Sequence, residues 1–349
     1  MSKFIFDSKN IIKYNELDNS LSNELDNDIF KKTSIFSLDN DCLKSLKNNH
    51  REMYKNIAER YIEDKKIFDI EKYNNDYMII YKSFVNNNGV IVTNDKEIFV
   101  NGGCLCGDIK YVCYKNTKKI DNVISITSLW SSGIWHFPFE AFVSLMSIPK
   151  DILNKSKIHV SSKTNYIIQW FNLLNIPHSQ LITGDIYADT LYVPRMGKCG
   201  CPYYSQVKWL KNIVNNNILN SQYEYVILIK RNNRRKLQNY NELEILLKKY
   251  CKRINLNLYI HDDSKLLSLV EQQQIFSKAK IVVAPHGAGG INIIAMKESS
   301  WYIEFLSVED INICYSRLAY LCNINYRGLS MFNLTVDLRK VITILVELL

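Results

Sequence analysis

The segment Ile281-Val-Val-Ala-Pro-His-Gly-Ala-Gly-Gly-Ile-Asn292 reads as a strand, a turn holding three glycines and one alanine, and the start of a helix. Glycines at such a turn let the backbone come close to a ligand, and the amides of a helix start attract an anion, a phosphate above all. His286 adds a titratable donor at the rim. The run has neither the Walker spacing nor Gly-x-Gly-x-x-Gly, so it supports neither a P-loop ATPase nor a dinucleotide fingerprint. An ordinary strand-to-helix turn carries the same pattern, and the turn alone leaves both readings open. A basic run, Lys230-Arg-Asn-Asn-Arg-Arg-Lys236, follows directly on an apolar stretch ending at Ile229. Arginines at the carboxyl end of a strand clamp phosphate oxygens in pairs, as a lysine point charge does not; a solvated basic loop is the alternative. No aromatic residue interleaves these charges, which speaks against a nucleic-acid platform.

Other chemistry-bearing patterns are weaker. Asp39-Asn-Asp41 has the form of a metal-binding Asp-x-Asp, but Leu-Asp-Asn recurs at 17–19, 25–27 and 38–40, so composition alone produces it. Cys104-Leu-Cys106 and Cys199-Gly-Cys201 together have four thiols for a zinc ion, but structural zinc sites favour Cys-x-x-Cys pairs and nothing in the sequence brings these two together. No metal site is expected. His159, His178 and His261 lack ligand-like spacing and read as structural.

The elements that must hold the turn and the basic run follow from periodicity. Short β-rich runs at 77–81, 89–93, 98–100, 109–114 and 122–127 give way to helical spacing over 135–146, a strand at 157–160 and a helix at 165–174. A polar stretch at 211–222 reads as a linker. A second alternation then runs from a strand at 223–230 to a helix over 311–321, and the apolar segment 336–349 predicts a last helix, of a kind that in two-lobed architectures often crosses back to the first lobe. The expectation is an α/β protein with four parts: an N-terminal extension (1–74) with an amphipathic helix over 43–68, an α/β lobe (75–212), a second α/β lobe (213–335) and a C-terminal helix (336–349). Two such lobes facing a cleft place ligands at the carboxyl ends of parallel strands.

Composition sets outer limits. With 349 residues, 47% of them hydrophobic, the chain has material for two cores. No apolar run reaches the ~18 residues of a membrane span, and the first residues lack a secretory pattern, so a soluble cytoplasmic protein with nine reduced cysteines is expected. The net charge of +9 suits an anionic ligand, but it is spread along the chain. Nucleic acid is the weakest of the partners it allows, and a homo-oligomer through the N-terminal extension stays open.

Taken as a set, Ile227-Leu-Ile-Lys-Arg231, Arg234-Arg235, Leu269-Val-Glu-Gln-Gln-Gln-Ile-Phe276, Val282-Val-Ala-Pro-His-Gly-Ala-Gly289, Asn292 and Ile303-Glu304 resemble glycosyltransferase family 61. Upstream, Gly133-Ile-Trp-His-Phe-Pro-Phe-Glu140 is similar to the family's His-bearing helix, and Thr190-Leu-Tyr-Val-Pro194 matches more weakly. The resemblance covers roughly residues 125 to 330. It implies a GT-B-like fold of two Rossmann-like lobes and an inverting transfer from a nucleoside-diphosphate sugar, a UDP-sugar foremost, to a hydroxyl on a glycan or protein. No metal or other cofactor is required. Carried over by position, Arg231, Arg234, Arg235, the turn His286, Gly287, Ala288, Gly289 and Gly290, and Asn292 bind the donor, with Glu304 on its ribose or sugar. At Gly290 the family more often has a bulkier apolar residue, which implies a wider turn here. Inverting transfer also needs a base for the acceptor hydroxyl. His136 and Glu140, four apart on one face of the expected helix, are the candidates from the other lobe, with a cap and its orienting carboxylate as the structural alternative. A protein that keeps this fold to bind a nucleotide or sugar without catalysis is the other function the sequence allows.

Overall fold

The structure, a computed structural model, describes residues 36–48, 77–93, 98–100, 117–197, 199–200, 202–219 and 222–349. The expected strand at 109–114, the Leu-Asp-Asn repeats at 17–19 and 25–27, the Cys104–Cys106 pair, Cys201, and the N-terminal helix beyond residue 48 lie outside them. The chain divides into two compact units, one holding the described residues from 77 to 210, the other those of 36–48 and 211–349.

In the first unit, β2 (Tyr77–Val85) forms a hairpin with β3 (Val90–Val92), and β4 (Ile98–Val100) extends it. The hairpin turn is built by Asn86, whose Oδ1 accepts from the amides of Asn88 and Val90, and by Gly89 at φ 77°. With β5 (Lys118–Ser125), β6 (Lys157–His159), β7 (Leu181–Ile182) and β8 (Ile186–Pro194), the sheet order is β4-β3-β2-β8-β5-β6-β7. Only the β8-β5-β6-β7 part is parallel, so this unit is mixed rather than a purely parallel Rossmann-like sheet.

In the second unit every main pairing is parallel. The order is β1 (Phe36–Leu38), β13 (Asn325–Phe332), β12 (Trp301–Ser307), β11 (Ala279–Pro285), β9 (Tyr225–Lys230) and β10 (Asn257–Asp262), while β14 (Thr335–Val336) folds back on β13. Central strands of such a sheet are covered on both faces, which is why β9 and β11 read as unbroken apolar runs rather than alternating ones. The helix Tyr240–Ile254 buries Leu243, Leu247, Tyr250 and Cys251 on one stripe and ends at Asn255, whose left-handed backbone (φ 54°) turns its amide onto the Cys251 carbonyl. The helix Leu269–Phe276 starts at a capping box of Ser268 and Glu271.

Three expectations change. Residues 211–216, expected in a linker, continue the helix Tyr204–Asn216, with Ile213 and Val214 buried. The last helix, Leu338–Glu347, does not cross back: Val341, Ile344 and Leu345 pack with Leu237, Leu243 and Leu247 of its own unit. The N-terminal segment contributes a sheet strand ahead of its helix Asn40–Asn48. That strand is anchored by Asp39, whose Oδ2 accepts from the Ser330 amide and hydroxyl and from Lys340 Nζ (2.8 Å). Asp41 also accepts from Lys340 (2.9 Å), so the Asp-x-Asp is spent inside the fold.

Burial raises the Asp39 carboxyl, but the bonds from Lys340, Ser330 and the Cys42 amide outweigh it and bring it down to about 2. A carboxyl depressed in the folded state contributes stability that is present above its unfolded value near 4 and is lost as pH falls from about 4 through about 2. We therefore expect a Lys340→Met variant to lose on the order of 2 kcal/mol at pH 7 and progressively less toward pH 2. Urea unfolding followed across that range measures it, and an unchanged parent-to-variant gap would sink the assignment.

Candidate functional site

The glycine turn stands at the carboxyl ends of β9, β11 and β12. Past Pro285 the His286 amide still bonds the Phe305 carbonyl (3.0 Å), so the imidazole is set by the sheet itself. Gly287 then takes φ 156°, a backbone that other residues rarely adopt, and a Cβ there would lie 1.7 Å from Arg231 Nη1. Glycine at 287 is what lets the Arg231 guanidinium lie flat against the turn. A short 3-10 helix, Ala288–Ala295, follows in place of the expected α-helix. The Gly290 amide is used on the Gly287 carbonyl (2.9 Å), and Ala288 and Gly289 are part-exposed.

At Gly290 the expected widening does not occur. A Cβ there would come within 2.9 Å of both the Tyr302 hydroxyl and the Tyr315 ring, so these side chains fill the room beside the turn. Gly290→Leu is expected to overpack this spot and lower stability by about 1 to 3 kcal/mol. An unchanged urea midpoint would show that the two tyrosines give way freely.

Behind the turn is a buried relay. His286 Nδ1 lies 2.7 Å from Glu304 Oε1, and Tyr326 donates its hydroxyl to Glu304 Oε2, also at 2.7 Å. Burial, reinforced by the charge of Glu304, holds the Tyr326 phenol well above its usual range, so it remains a donor. Gly328 makes room for this arrangement, since a Cβ there would lie 3.1 Å from the Tyr326 hydroxyl and 2.3 Å from Leu38. Glu304 is 0% exposed, with one oxygen facing His286 and the other accepting from Tyr326.

The basic run is partly neutralised from β10. Arg231 Nε is ion-paired with Asp263 (3.0 Å) and Lys230 with Asp262 (3.3 Å), while Asn232 bonds both carboxylates. Hydrogen bonds from Ser264, ahead of those from Asn232 and Lys230, hold the Asp262 carboxyl well below its usual range. Arg231 Nη1 is buried and finds no hydrogen-bond partner among the described residues. Arg234 is exposed, and Arg235 adopts left-handed backbone at φ 62°, a strain of the kind that collects at functional loops. Asn292 is 1% exposed and donates to Gln272 (3.0 Å), tying the turn to the helix Leu269–Phe276. Sequence reasoning missed Tyr326. It also set aside His261, which packs under Gly289 and against Phe276; burial, against the pull of Asp263 and Asp262, takes its imidazole down to about 4 and keeps it neutral.

The first unit carries a second imidazole–carboxylate pair. His136 Nδ1 lies 2.8 Å from Glu140 Oε1, as the spacing predicted, but the backbone is a π-turn over Phe137–Ala141 followed by a 3-10 helix over Phe142–Ser147. Pro138 explains the departure: it has no N–H to give the Ile134 carbonyl, which accepts instead from the Tyr166 hydroxyl (2.7 Å). Such π-turns are frequent at functional sites. Glu140 is 2% exposed and also accepts from the Gly200 amide (3.3 Å), while the part-exposed His136 reaches solvent. Gly197 allows this, because a Cβ there would fall 2.2 Å from the Phe139 carbonyl oxygen.

The geometry thus sets a glycine turn beside Arg231 at the end of a parallel sheet in one unit and an imidazole–carboxylate pair in the other. Residues 134–303 match the model of the family described as glycosyltransferase 61. The match supports assigning this span to that family and, with it, a glycosyltransferase enzyme. The matched segment contains both His136 and His286 and ends one residue short of Glu304. No curated protein matches the chain. No helix among the described residues is long and apolar enough to cross a membrane.

Proposed function

We propose that this glycosyltransferase is an inverting, metal-independent enzyme of GT-B architecture that moves a sugar from a nucleoside diphosphate, UDP foremost, to a hydroxyl on a glycan or protein acceptor. A cytoplasmic setting belongs to the reading and is supported by Cys42, Cys251 and Cys322, all buried as free thiols.

The observation that carries the reading is the His286 imidazole, fixed by Glu304 and Tyr326 beside an Arg231 whose Nη1 has no partner among the described residues. A diphosphate gives those donors oxygens to meet. In the reaction the acceptor O–H gives its proton to His136, whose imidazolium the buried Glu140 carboxylate stabilises. The acceptor oxygen bonds to the anomeric carbon from the face opposite the departing diphosphate. The bond from that carbon to the diphosphate oxygen breaks, and the charge left on the diphosphate is taken up by Arg231, Arg235, His286 and the turn amides.

The test is a nucleotide-release assay with UDP-, GDP- and CMP-sugars in the presence of a chelator, with the product's anomeric configuration read by NMR. Chelator-insensitive transfer from a UDP-sugar with inversion is the expected result. Retention, or transfer that stops with the chelator, overturns the mechanism.

A further inference from the structure

We propose that His136, Glu140 and Cys199 form a site for a soft divalent cation, Zn(II), and that its occupancy takes the His136–Glu140 pair out of proton transfer. The first half of this stands on geometry; the second rests on the base assignment above.

The donor atoms of the three side chains, an imidazole nitrogen, a carboxylate oxygen and a thiol sulfur, all lie within 4.8 Å of one another. Around a tetrahedral zinc with bonds of about 2.0 to 2.3 Å, ligand atoms stand roughly 3.3 to 3.8 Å apart. Small side-chain adjustments therefore close the set. Two chain segments build it, and the approach of the second is fixed on both sides of Cys199: the Gly197 amide bonds the Glu140 carbonyl (2.9 Å) and the Gly200 amide bonds Glu140 Oε1 (3.3 Å). Cys199 is thus suspended between two anchors on the residue that would share the ion.

The chemistry of the set points to zinc. Thiolate and imidazole select a borderline-soft ion over magnesium or calcium, and three protein ligands leave the fourth position to solvent. Glu140 is an almost fully buried carboxylate that forms no ion pair with Lys or Arg among the described residues, and a bound cation would balance it. Cys199 is not in a disulfide. On binding, its thiol proton passes to solvent, and an imidazole nitrogen and a carboxylate oxygen each donate a lone pair to the metal. Glu140 is then no longer the hydrogen-bonded partner of a protonated imidazole, so the ion acts as an inhibitor of a metal-independent enzyme.

The full-length protein, stripped with chelator, is titrated with Co(II). One equivalent is expected to produce a near-ultraviolet thiolate-to-cobalt charge-transfer band that Zn(II) displaces and that Cys199→Ser loses while its circular dichroism stays that of the parent. In the release assay Zn(II) is expected to inhibit, with Cys199→Ser less sensitive by about tenfold or more. No band in the parent, or the same band in Cys199→Ser, overturns the site whatever the activity. A cobalt band together with zinc-insensitive transfer keeps the site and overturns the silencing along with the base assignment.

Discussion

Glu140→Gln is expected to lower kcat by about a hundredfold to ten-thousandfold while leaving donor affinity unchanged, the range typical of a lost acid–base contribution. The substitution keeps the side chain's shape and an oxygen for the Gly200 amide but removes the negative charge 2.8 Å from His136 Nδ1. The imidazole then has no buried anion to stabilise its protonated form. Donor affinity is unaffected because the residues proposed to hold the donor belong to the other compact unit. Initial rates over a donor-sugar series separate kcat from KM. Unchanged kcat would remove Glu140 from the mechanism, and a rise in KM alone would make the pair an acceptor-binding feature.

The second large effect is on the His286–Glu304–Tyr326 relay, where stability and affinity separate. Glu304→Ala is expected to destabilise the fold by about 3 to 6 kcal/mol, because two buried donors lose a charged acceptor at once. His286→Ala leaves Glu304 bonded to Tyr326, and its main effect is on the ligand: donor affinity falls by about 1.5 to 3 kcal/mol, roughly 10- to 150-fold. Arg235→Ala is expected to weaken the donor on the same scale without touching the relay. Urea unfolding and nucleotide titration calorimetry read the two quantities independently. If Glu304→Ala is as stable as the parent, the relay is not structural; if His286→Ala binds nucleotide equally well, the turn is not the donor site.

Where local periodicity decides structure, reading the residues succeeded. The apolar runs β9 and β11 were found within a few residues, and the i,i+4 spacing of His136 and Glu140 foretold their contact. What failed is what depends on distant partners. β8 alternates around Asp189 and Thr190 in a way that only its pairing with β2 and β5 resolves. The π-turn follows from one missing N–H at Pro138, a local cause whose remedy, Tyr166, is far along the chain. Tyr326 carries no mark in its own neighbourhood, because a tyrosine in a strand is ordinary until a buried carboxylate is found opposite it. Glu304 was picked by position, but its burial between His286 and Tyr326 is a property of the packed sheet.

The pairing of β1 with β13 has a consequence for how the protein is made. Asp39 and the Ser330 that holds it are 291 positions apart, so the first strand of this sheet leaves the ribosome long before its partner exists. Until residues 325–332 are synthesised, Phe36–Leu38 has no edge to join, and until it joins, the β13 edge is open to pairing with another molecule. Contacts of such long sequence separation form late and slow folding. A fragment starting at residue 211 would keep the glycine turn and the relay yet carry that bare edge permanently, and its characteristic fault would be self-association rather than loss of the nucleotide site.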